Sequence, residues 1–137
     1  VKIIFGQTYR LLQQAKAALV TSGTATLETA LFRVPQAVCY YTPVGKLIAF
    51  LRRHILKVKY ISLVNLVGNK EVVRELVADT MTVANVRSEL NALLNDETYR
   101  GQMLKEYDRM IKILGPAGAS HQAASKMIEL LSVRKGK

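Results

Sequence analysis

The sequence predicts an α/β protein in which a partial parallel sheet is flanked by helices and the carboxy-terminal half is rich in helix. Short apolar runs alternate with amphipathic stretches through residues 1–66, which is the pattern of parallel βαβ units. Half of the 137 residues are hydrophobic, so the chain can bury a core. Residues 67–137 are predicted to form a helical closing segment.

The first half is predicted to alternate strands with helices. The predicted strands are residues 2–5, 18–21 and 36–41, with a short extended run at 60–64. The predicted helices of this half are residues 8–17, 24–32 and 44–55. The nearly continuous apolar run at 36–41 is typical of a strand that is covered on both faces.

The second half is predicted to be helical over residues 71–76, 83–94, 98–114 and 120–133, with Met103, Met110 and Met127 in the core. Only three or four strands are predicted, whereas a doubly wound dinucleotide-binding sheet has about six. We therefore expect residues 1–137 to be one incomplete lobe. It is either the carboxy-terminal part of a larger α/β unit or a chain that completes its sheet with another copy.

Positive charge is concentrated in the first half of the chain. Residues 1–70 contain ten Lys and Arg but one acid, Glu28, for a net charge of +9, whereas residues 71–137 have a net charge of +1. This asymmetry indicates an anionic partner such as phosphate, nucleic acid or anionic lipid. The simpler alternative is a solvated basic face.

Several kinds of site are not expected. Cys39 is the single cysteine and lies in an apolar run, so we expect no disulfide, a reducing compartment and an inert thiol. His54 and His121 have no Cys, Asp or Glu at ligand spacing, so we expect neither a metal nor a cofactor. No uncharged apolar run reaches about 20 residues, so we expect a soluble chain without a membrane-spanning segment.

A polar turn, Ser22-Gly23-Thr24, joins the predicted strand at 18–21 to the helix that follows. Ligands of open parallel sheets bind beyond the carboxyl ends of the strands, where a helix start offers free N–H groups and a positive dipole end. Gly23 would let a phosphate approach the backbone. Glu28 lies four residues after Thr24, on the same helix face, where its carboxylate could accept hydrogen bonds from ribose hydroxyls.

This layout fits a nucleotide, with a diphosphate at the turn and a sugar at Glu28. A purely structural alternative exists, because Ser-Gly-Thr is also a helix N-cap and an acid near a helix start is favourable in itself. The motif is neither a Walker loop nor a Gly-x-Gly-x-x-Gly fingerprint. Tyr40 and Tyr41 could stack on a base, although half-buried strand aromatics are the commoner case.

Several separated motifs closely resemble the carboxy-terminal region of lipid-A-disaccharide synthases. They are Ser22-Gly-Thr-Ala-Thr-Leu-Glu28, Pro35, Tyr40, Tyr60-Ile-Ser-Leu-Val-Asn-Leu66, Glu71-Val-Val-Arg-Glu-Leu76 and the ending Gly118-Ala-Ser-x-x-Ala-Ala124. The similarity extends over nearly the whole chain. The family consists of inverting glycosyltransferases of the GT-B type, with two Rossmann-like domains and a cleft between them.

The resemblance implies a reaction and its partners. The full-length family members transfer diacylglucosamine from its UDP-linked donor to diacylglucosamine 1-phosphate, and UDP is released during lipid A biosynthesis. The resemblance also implies a cytoplasmic protein that lies peripherally on the inner face of the inner membrane of a Gram-negative bacterium.

By resemblance, residues 22–24 (Ser22, Gly23 and Thr24) would bind the UDP diphosphate and Glu28 would bind the ribose. Asn65 matches a functionally important Asn of the family and is expected near the nucleotide-sugar. Glu71 falls in a family segment to which a role at the donor site is attributed.

The chain departs from the family pattern at a few positions: Val64 replaces a usual Pro, Asn69-Lys70 replaces Gly-Arg, and Tyr41 stands where a basic residue is common. The family's catalytic carboxylates lie in an amino-terminal domain that has no counterpart here. We therefore assign no catalytic residue in this chain and expect it to be inactive by itself.

A basic segment at residues 45–59 contains five Lys and Arg and no acid. Its apolar residues recur every three or four positions, which predicts a helix that faces the core. The opposite face is expected to contact anionic phospholipid through Lys46, Arg52, Arg53, Lys57 and Lys59.

Two other classes of function remain open at this point. A nucleic-acid-binding module would explain the basic first half, but no binding signature accompanies it, so nucleic acid is not the expected partner. A non-catalytic dimerisation lobe is the other class, because long closing helices could exchange between the two copies of a homodimer.

Overall fold

The computed structural model of the protein describes residues 1–21, 23–41, 59–115 and 118–134. Its strands are β1 (Ala18–Val20), β2 (Gln36–Tyr40) and β3 (Glu75–Val77). Its helices are α1 (Thr8–Gln14), α2 (Gly23–Leu31), α3 (Leu63–Gly68), α4 (Val83–Asn95), α5 (Glu97–Leu114) and α6 (Ala119–Arg134), and a 3₁₀ turn covers Ala78–Thr80. The predicted α/β class is confirmed.

The strands form one parallel sheet in the order β1-β2-β3. Val38 of the central strand lies between Val20 of β1 and Glu75 of β3. Residues 36–39 of β2 are all buried, as the apolar run predicts. Because the strands are parallel, their carboxyl ends meet at one edge of the sheet, which is where ligands of open α/β sheets bind.

Helices α2, α3 and α5 pack on one another, and α4 packs on β2 and α5. The buried core consists of Ala30, Ala37, Val38, Val64, Val72, Val73, Leu93, Met103, Tyr107 and Met110. The predicted burial of Met103 and Met110 is confirmed. The prediction for Met127 was wrong, because its side chain on α6 is 65% exposed.

The hydroxyl of the fully buried Tyr107 ties α5 to the sheet. It donates to the carbonyl of Val34 at 3.3 Å and accepts from the Nε2 of Gln36, also at 3.3 Å. The same Gln36 amide donates to the carbonyl of Thr26 in α2 at 2.9 Å. Burial raises the pKa of Tyr107, so the phenol stays neutral inside the core.

Residues 2–5, which were predicted to form a strand, form none. Ile3 and Phe5 are 78% and 86% exposed. A strand needs a partner, and β1 is paired on its β2 side alone within the described part of the chain. Apolar character by itself therefore led to a wrong prediction.

The run at 60–64 was predicted to be extended, but α3 begins within it at Leu63. The hydroxyl of Ser62 accepts a hydrogen bond from the amide of Asn65 at 3.3 Å and caps the helix. A helix of six residues is too short to show clear periodicity, and the β-branched residues around it favoured the wrong assignment.

Residues 71–76 were predicted to be helical, but they lead into β3 instead. Helix α3 ends at Gly68 and is capped by Asn69, whose φ of 49° lies in the left-handed region. The amides of Val72 and Val73 then donate to the side-chain oxygen of Asn65, and the Val72 amide also donates to the carbonyl of Lys70 at 3.0 Å, so neither makes a helical bond to the carbonyl four residues earlier. Because the Asn65 side chain accepts hydrogen bonds from these backbone amides, the helix cannot continue, and the chain goes on as a strand.

The other predicted elements within the described ranges are confirmed, with ends that shift by at most three residues. The predicted helix at 44–55 lies outside the described residues. Among the helices that the structure describes, none is both long and apolar enough to cross a membrane.

Truncation of Leu93 tests the position of α4. Leu93 is fully buried, so Leu93→Ala is expected to lower the free energy of unfolding by about 2–5 kcal/mol through lost burial and the cavity it leaves. Leu94→Ala is the matched control, because the neighbouring side chain is 42% exposed and should cost less than half as much. Urea unfolding followed by circular dichroism measures both, and equal losses would contradict the described packing.

Candidate functional site

The amino end of α2 lies at the carboxyl edge of the sheet. β1 ends at Val20 and α2 begins at Gly23, so the connection is short. Ser22 lies outside the described residues. A methyl group added at Gly23 would meet no described atom within 4 Å, so the backbone is open to an approaching ligand. The first amides of the helix have no intrahelical acceptor and are available to such a ligand.

The two faces of α2 differ in what they carry. Thr26 and Thr29 are buried, and their hydroxyls donate to backbone carbonyls of the preceding turn at 2.5 and 2.7 Å. Thr24 and Glu28 are exposed on the other side. Neither has a hydrogen-bond partner among the described residues, so the open face of α2 presents an uncommitted hydroxyl and carboxylate.

Glu28 lines a cavity of about 320 Å³ between α2 and the start of α1, which we call the Glu28 cavity. Its other lining residues are Gly6, Gln7, Thr8, Tyr9 and Arg10. Tyr9 stacks on Phe32 with ring centroids 5.2 Å apart, which holds α1 beside α2. The cavity thus combines an acid, a base and backbone polar groups, a set that can bond sugar hydroxyls or the edge of a nucleobase.

The rest of the carboxyl edge is formed by the ends of β2 and β3. Tyr40 is half-buried, and Tyr41 is 78% exposed. Beyond β3, Ala78 has a φ of 54°, a left-handed conformation that costs about 1–2 kcal/mol for a residue with a Cβ. The hydroxyl of Thr80 holds this turn by accepting from the amide of Val77 at 2.8 Å. Strained backbone of this kind clusters at functional sites.

Asn65 is fully buried in α3, and its side chain is committed within the protein. Its Oδ1 accepts from the amides of Val72 and Val73 at 2.7 and 2.9 Å. Its Nδ2 donates to the carbonyl of Val73 at 2.8 Å and to the carboxylate of Glu75 at 2.9 Å. These four bonds match the full capacity of an Asn amide, so no polar atom of the side chain is left for a ligand.

Glu75 is a residue that sequence reasoning missed. Its carboxylate, at the start of β3, accepts from the amides of Ile61 and Ser62, from the Ser62 hydroxyl and from the amide group of Asn65. The signal was the charged pair Arg74-Glu75 inside the otherwise apolar run at 72–77, because charged residues are unusual in a strand.

Glu71 is half-exposed and pairs with Arg74 at 3.2 Å. It lies between two cavities, one of about 550 Å³ under α4 and one of about 240 Å³ beside β3. The smaller, which we call the β3 cavity, is lined by Lys59, Tyr60, Asn65, Glu71, Arg74, Glu75, Val77, Asp79 and Thr80.

The structure therefore separates the predicted site residues into two groups. Gly23, Thr24 and Glu28 lie together on α2, which follows β1, whereas Asn65 and Glu71 line the β3 cavity. The two outer strands are separated by β2, so at about 4.8 Å per strand they lie about 10 Å apart across the sheet, and β3 extends two residues beyond the level at which β1 ends.

Cys39 is buried in β2, and burial, with a smaller contribution from the charge of Glu89, raises the pKa of its thiol. The predicted core position of the thiol is confirmed, and its raised pKa favours low reactivity. No group of three His, Cys, Asp or Glu with metal-binding geometry occurs within residues 1–21, 23–41, 59–115 and 118–134.

Of the basic residues predicted to meet a membrane, Lys46, Arg52, Arg53 and Lys57 lie outside the described residues. Lys59 is exposed, and its ammonium lies 5.2 Å from the centre of the Tyr60 ring, within range of a cation–π contact.

The parallel sheet and the open helix start at its carboxyl edge define a partial Rossmann-like α/β lobe. A sequence profile of the family described as Lipid-A-disaccharide synthetase matches residues 1–128. The chain belongs to this family.

Proteins named lipid-A-disaccharide synthase are similar to this chain. The protein from Psychromonas ingrahamii is 37% identical over 134 residues, which are 98% of this chain and 34% of the relative. That from Syntrophus aciditrophicus is 36% identical over 131 residues, covering 96% and 34%. That from Prochlorococcus marinus is 38% identical over 118 residues, covering 85% and 30%. The chain spans about a third of the length of these relatives.

The raised pKa of Cys39 predicts slow thiol labelling. At pH 8 the native chain should react with a disulfide reagent much more slowly than the chain unfolded in urea, because the buried thiol is shielded and stays protonated. The raised folded-state pKa also means that stability falls as pH rises above the ordinary thiol pKa of 9.0, and Cys39→Ala should reduce that fall. Equally fast labelling of the native and unfolded chains would contradict the described burial.

Proposed function

We propose that this chain is the UDP-sugar-binding part of a lipid-A-disaccharide synthase of the GT-B type. The longer enzyme would transfer diacylglucosamine from its UDP-linked donor to diacylglucosamine 1-phosphate and release UDP. The observation that carries this proposal is the family match over residues 1–128, which includes the open amino end of α2.

The diphosphate of UDP would bind at the start of α2. The free amides there and the positive end of the helix dipole favour an anion, and the hydroxyls of Ser22 and Thr24 add donors. Gly23 leaves room for close approach of the phosphates. One turn further along the helix, the exposed carboxylate of Glu28 would accept hydrogen bonds from the ribose hydroxyls. These hydroxyls are neutral donors, so they do not repel the carboxylate as a phosphate would.

Catalysis would need a second lobe. Inversion at the sugar requires a base opposite the departing UDP, and we assign no such base to this chain. We therefore propose that the chain binds the donor nucleotide, and that the acceptor and the base belong to the amino-terminal domain of the longer enzyme.

We further propose peripheral contact with the inner face of the bacterial inner membrane. The substrates carry acyl chains, and the net charge of +9 in residues 1–70 supports attraction to anionic lipid. The basic positions 46, 52, 53 and 57 would make this contact.

An interaction lobe that forms homodimers is a second candidate function, and one observation favours it. Helix α6 exposes Met127, Ile128, Leu130 and Leu131, each by 62% or more. Apolar exposure of this kind is typical of a surface that another chain or domain covers.

Titration with UDP tests the proposed nucleotide site. Amide NMR should show shifts that concentrate at residues 22–24 and 28. Glu28→Gln should weaken UDP binding about tenfold, because a charge-assisted hydrogen bond contributes about 1.5–3 kcal/mol. Glu97→Gln, an exposed acid in the first turn of α5, is the control and should leave the affinity unchanged.

UDP, uridine and phosphate should rank in that order of affinity if both diphosphate and ribose are recognised. An absence of UDP binding by the folded wild-type chain would contradict the proposal. Shifts confined to residues far from α2 would do the same.

Vesicle binding tests the membrane contact in the longer protein. It should bind vesicles with anionic phospholipid and be released at about 1 M salt, where the Debye length falls to about 3 Å. Replacing Arg52 and Arg53 by Glu should weaken retention, whereas the same change at Lys105 and Lys112 of α5 should have little effect. Equal retention on neutral vesicles in high salt would count against an electrostatic contact.

A further inference from the structure

Lys59 and Tyr60 line the β3 cavity, and the two residues that follow them, Ile61 and Ser62, are held by a single carboxylate. Glu75 accepts from the amide of Ile61 at 3.0 Å. It also accepts from the amide and the hydroxyl of Ser62 at 2.9 and 2.8 Å. Two consecutive peptide groups are therefore fixed by one side chain from β3.

Asn65 connects these hydrogen bonds to the rest of the chain that joins β2 to β3. Its Nδ2 donates to Glu75 at 2.9 Å, while its Oδ1 holds the amides of Val72 and Val73. Ser62 and Asn65 are both fully buried. Loss of one partner would leave buried donors unsatisfied, which is costly, so the segment has a single favoured position.

Lys59 and Tyr60, which directly precede the held residues, line the β3 cavity together with Asp79 and Thr80. The remaining charged lining residues are committed: Glu71 pairs with Arg74, and Glu75 accepts from its four donors. No ion pair is described for Lys59 or Asp79 within the part of the chain that the structure covers. A cation, an acid and an aromatic ring around about 240 Å³ suit a sugar, whose hydroxyls both donate and accept.

The position of the cavity also fits the sugar end of a nucleotide-sugar. Val77, Asp79 and Thr80 place it at the carboxyl end of β3, on the same sheet edge as the start of α2, and the two strands are about 10 Å apart across the sheet. A ligand whose diphosphate lies at α2 can extend along this edge to the β3 cavity.

We propose that Glu75 is a positioning residue for the sugar end of a nucleotide-sugar. It acts through Lys59 and Tyr60, by holding residues 59–62 against the β3 cavity, and does not touch the ligand itself. The proposal rests on the proposed function and adds to it a residue that the sequence motifs did not single out.

Glu75→Gln tests this role, because it keeps the shape of the side chain but removes its charge and one acceptor oxygen. Calorimetry with UDP and with UDP-N-acetylglucosamine compares the two ends of the ligand. The variant should lose about fivefold or more in affinity for the sugar nucleotide, the equivalent of one hydrogen bond, while the affinity for UDP changes less than about twofold. Glu97→Gln is the matched control and should change neither affinity.

Lys59→Ala and the double variant Glu75→Gln/Lys59→Ala distinguish two cases: an effect of Glu75 that passes through residues 59–62, and direct contact between Glu75 and the ligand. If Glu75 acts through residues 59–62, the double variant loses no more affinity than the larger of the single losses. Additive losses, or equal losses for UDP and the sugar nucleotide, would overturn the proposal.

Ser62→Ala removes one donor to Glu75 and is the milder variant if Glu75→Gln fails to fold. It should cause a smaller loss for the sugar nucleotide alone, and unchanged binding would overturn the proposal. A wild-type chain that binds UDP but gains nothing from the sugar would overturn this inference and leave the proposed function standing. A wild-type chain that binds neither would overturn both.

Discussion

Parallel pairing on both sides of β2 is the constraint on which the rest of the structure depends. Parallel neighbours cannot be joined by tight hairpins, so the chain must cross over the sheet twice, and helices α2 and α3 lie in these two crossovers. The crossovers cover the central strand and bury Val38 completely. They also bring all three carboxyl ends to one edge. The core and the candidate site are thus two consequences of a single arrangement of strands.

The second crossover is stabilised by side chains more than by its helix. α3 has only six residues, too few for a helix to be stable by itself, and Asn65 and Glu75 supply the bonds that fix its two ends. A fully satisfied buried amide has no atom to offer a ligand. Any influence of Asn65 on the β3 cavity would therefore pass through its bond to Glu75, a residue that lines this cavity.

Part of the excess positive charge of residues 1–70 is paired with acidic residues of the second half of the chain. Arg33 pairs with Asp108, and Lys70 pairs with Glu106 at 2.8 Å, so two cations of the first half meet acids of α5. The hydrogen bond from Lys70 is the main cause of a lowered pKa at Glu106. Such partly exposed pairs contribute little to stability, typically under about 1 kcal/mol, but they account for some of the basic residues without any external anion. Glu28, the acid of residues 1–70, has no such partner among the described residues.

Sequence alone determined the elements whose signal is local: the buried run of β2, the polar turn before α2, and the long helices α4, α5 and α6, whose ends were predicted within one residue. It also identified the family, because the motifs that carry the resemblance are short continuous runs that occur in the family's order. Tertiary structure alone decided that residues 2–5 have no strand to pair with, that Glu75 reaches back to Ile61 and Ser62, and that Asn65 turns its amide inward. Those outcomes depend on hydrogen bonds between residues that are far apart in the sequence, or on side chains that compete with backbone carbonyls for amide donors. A short apolar run with a single polar residue suits a strand and a helix about equally until its partner is in place.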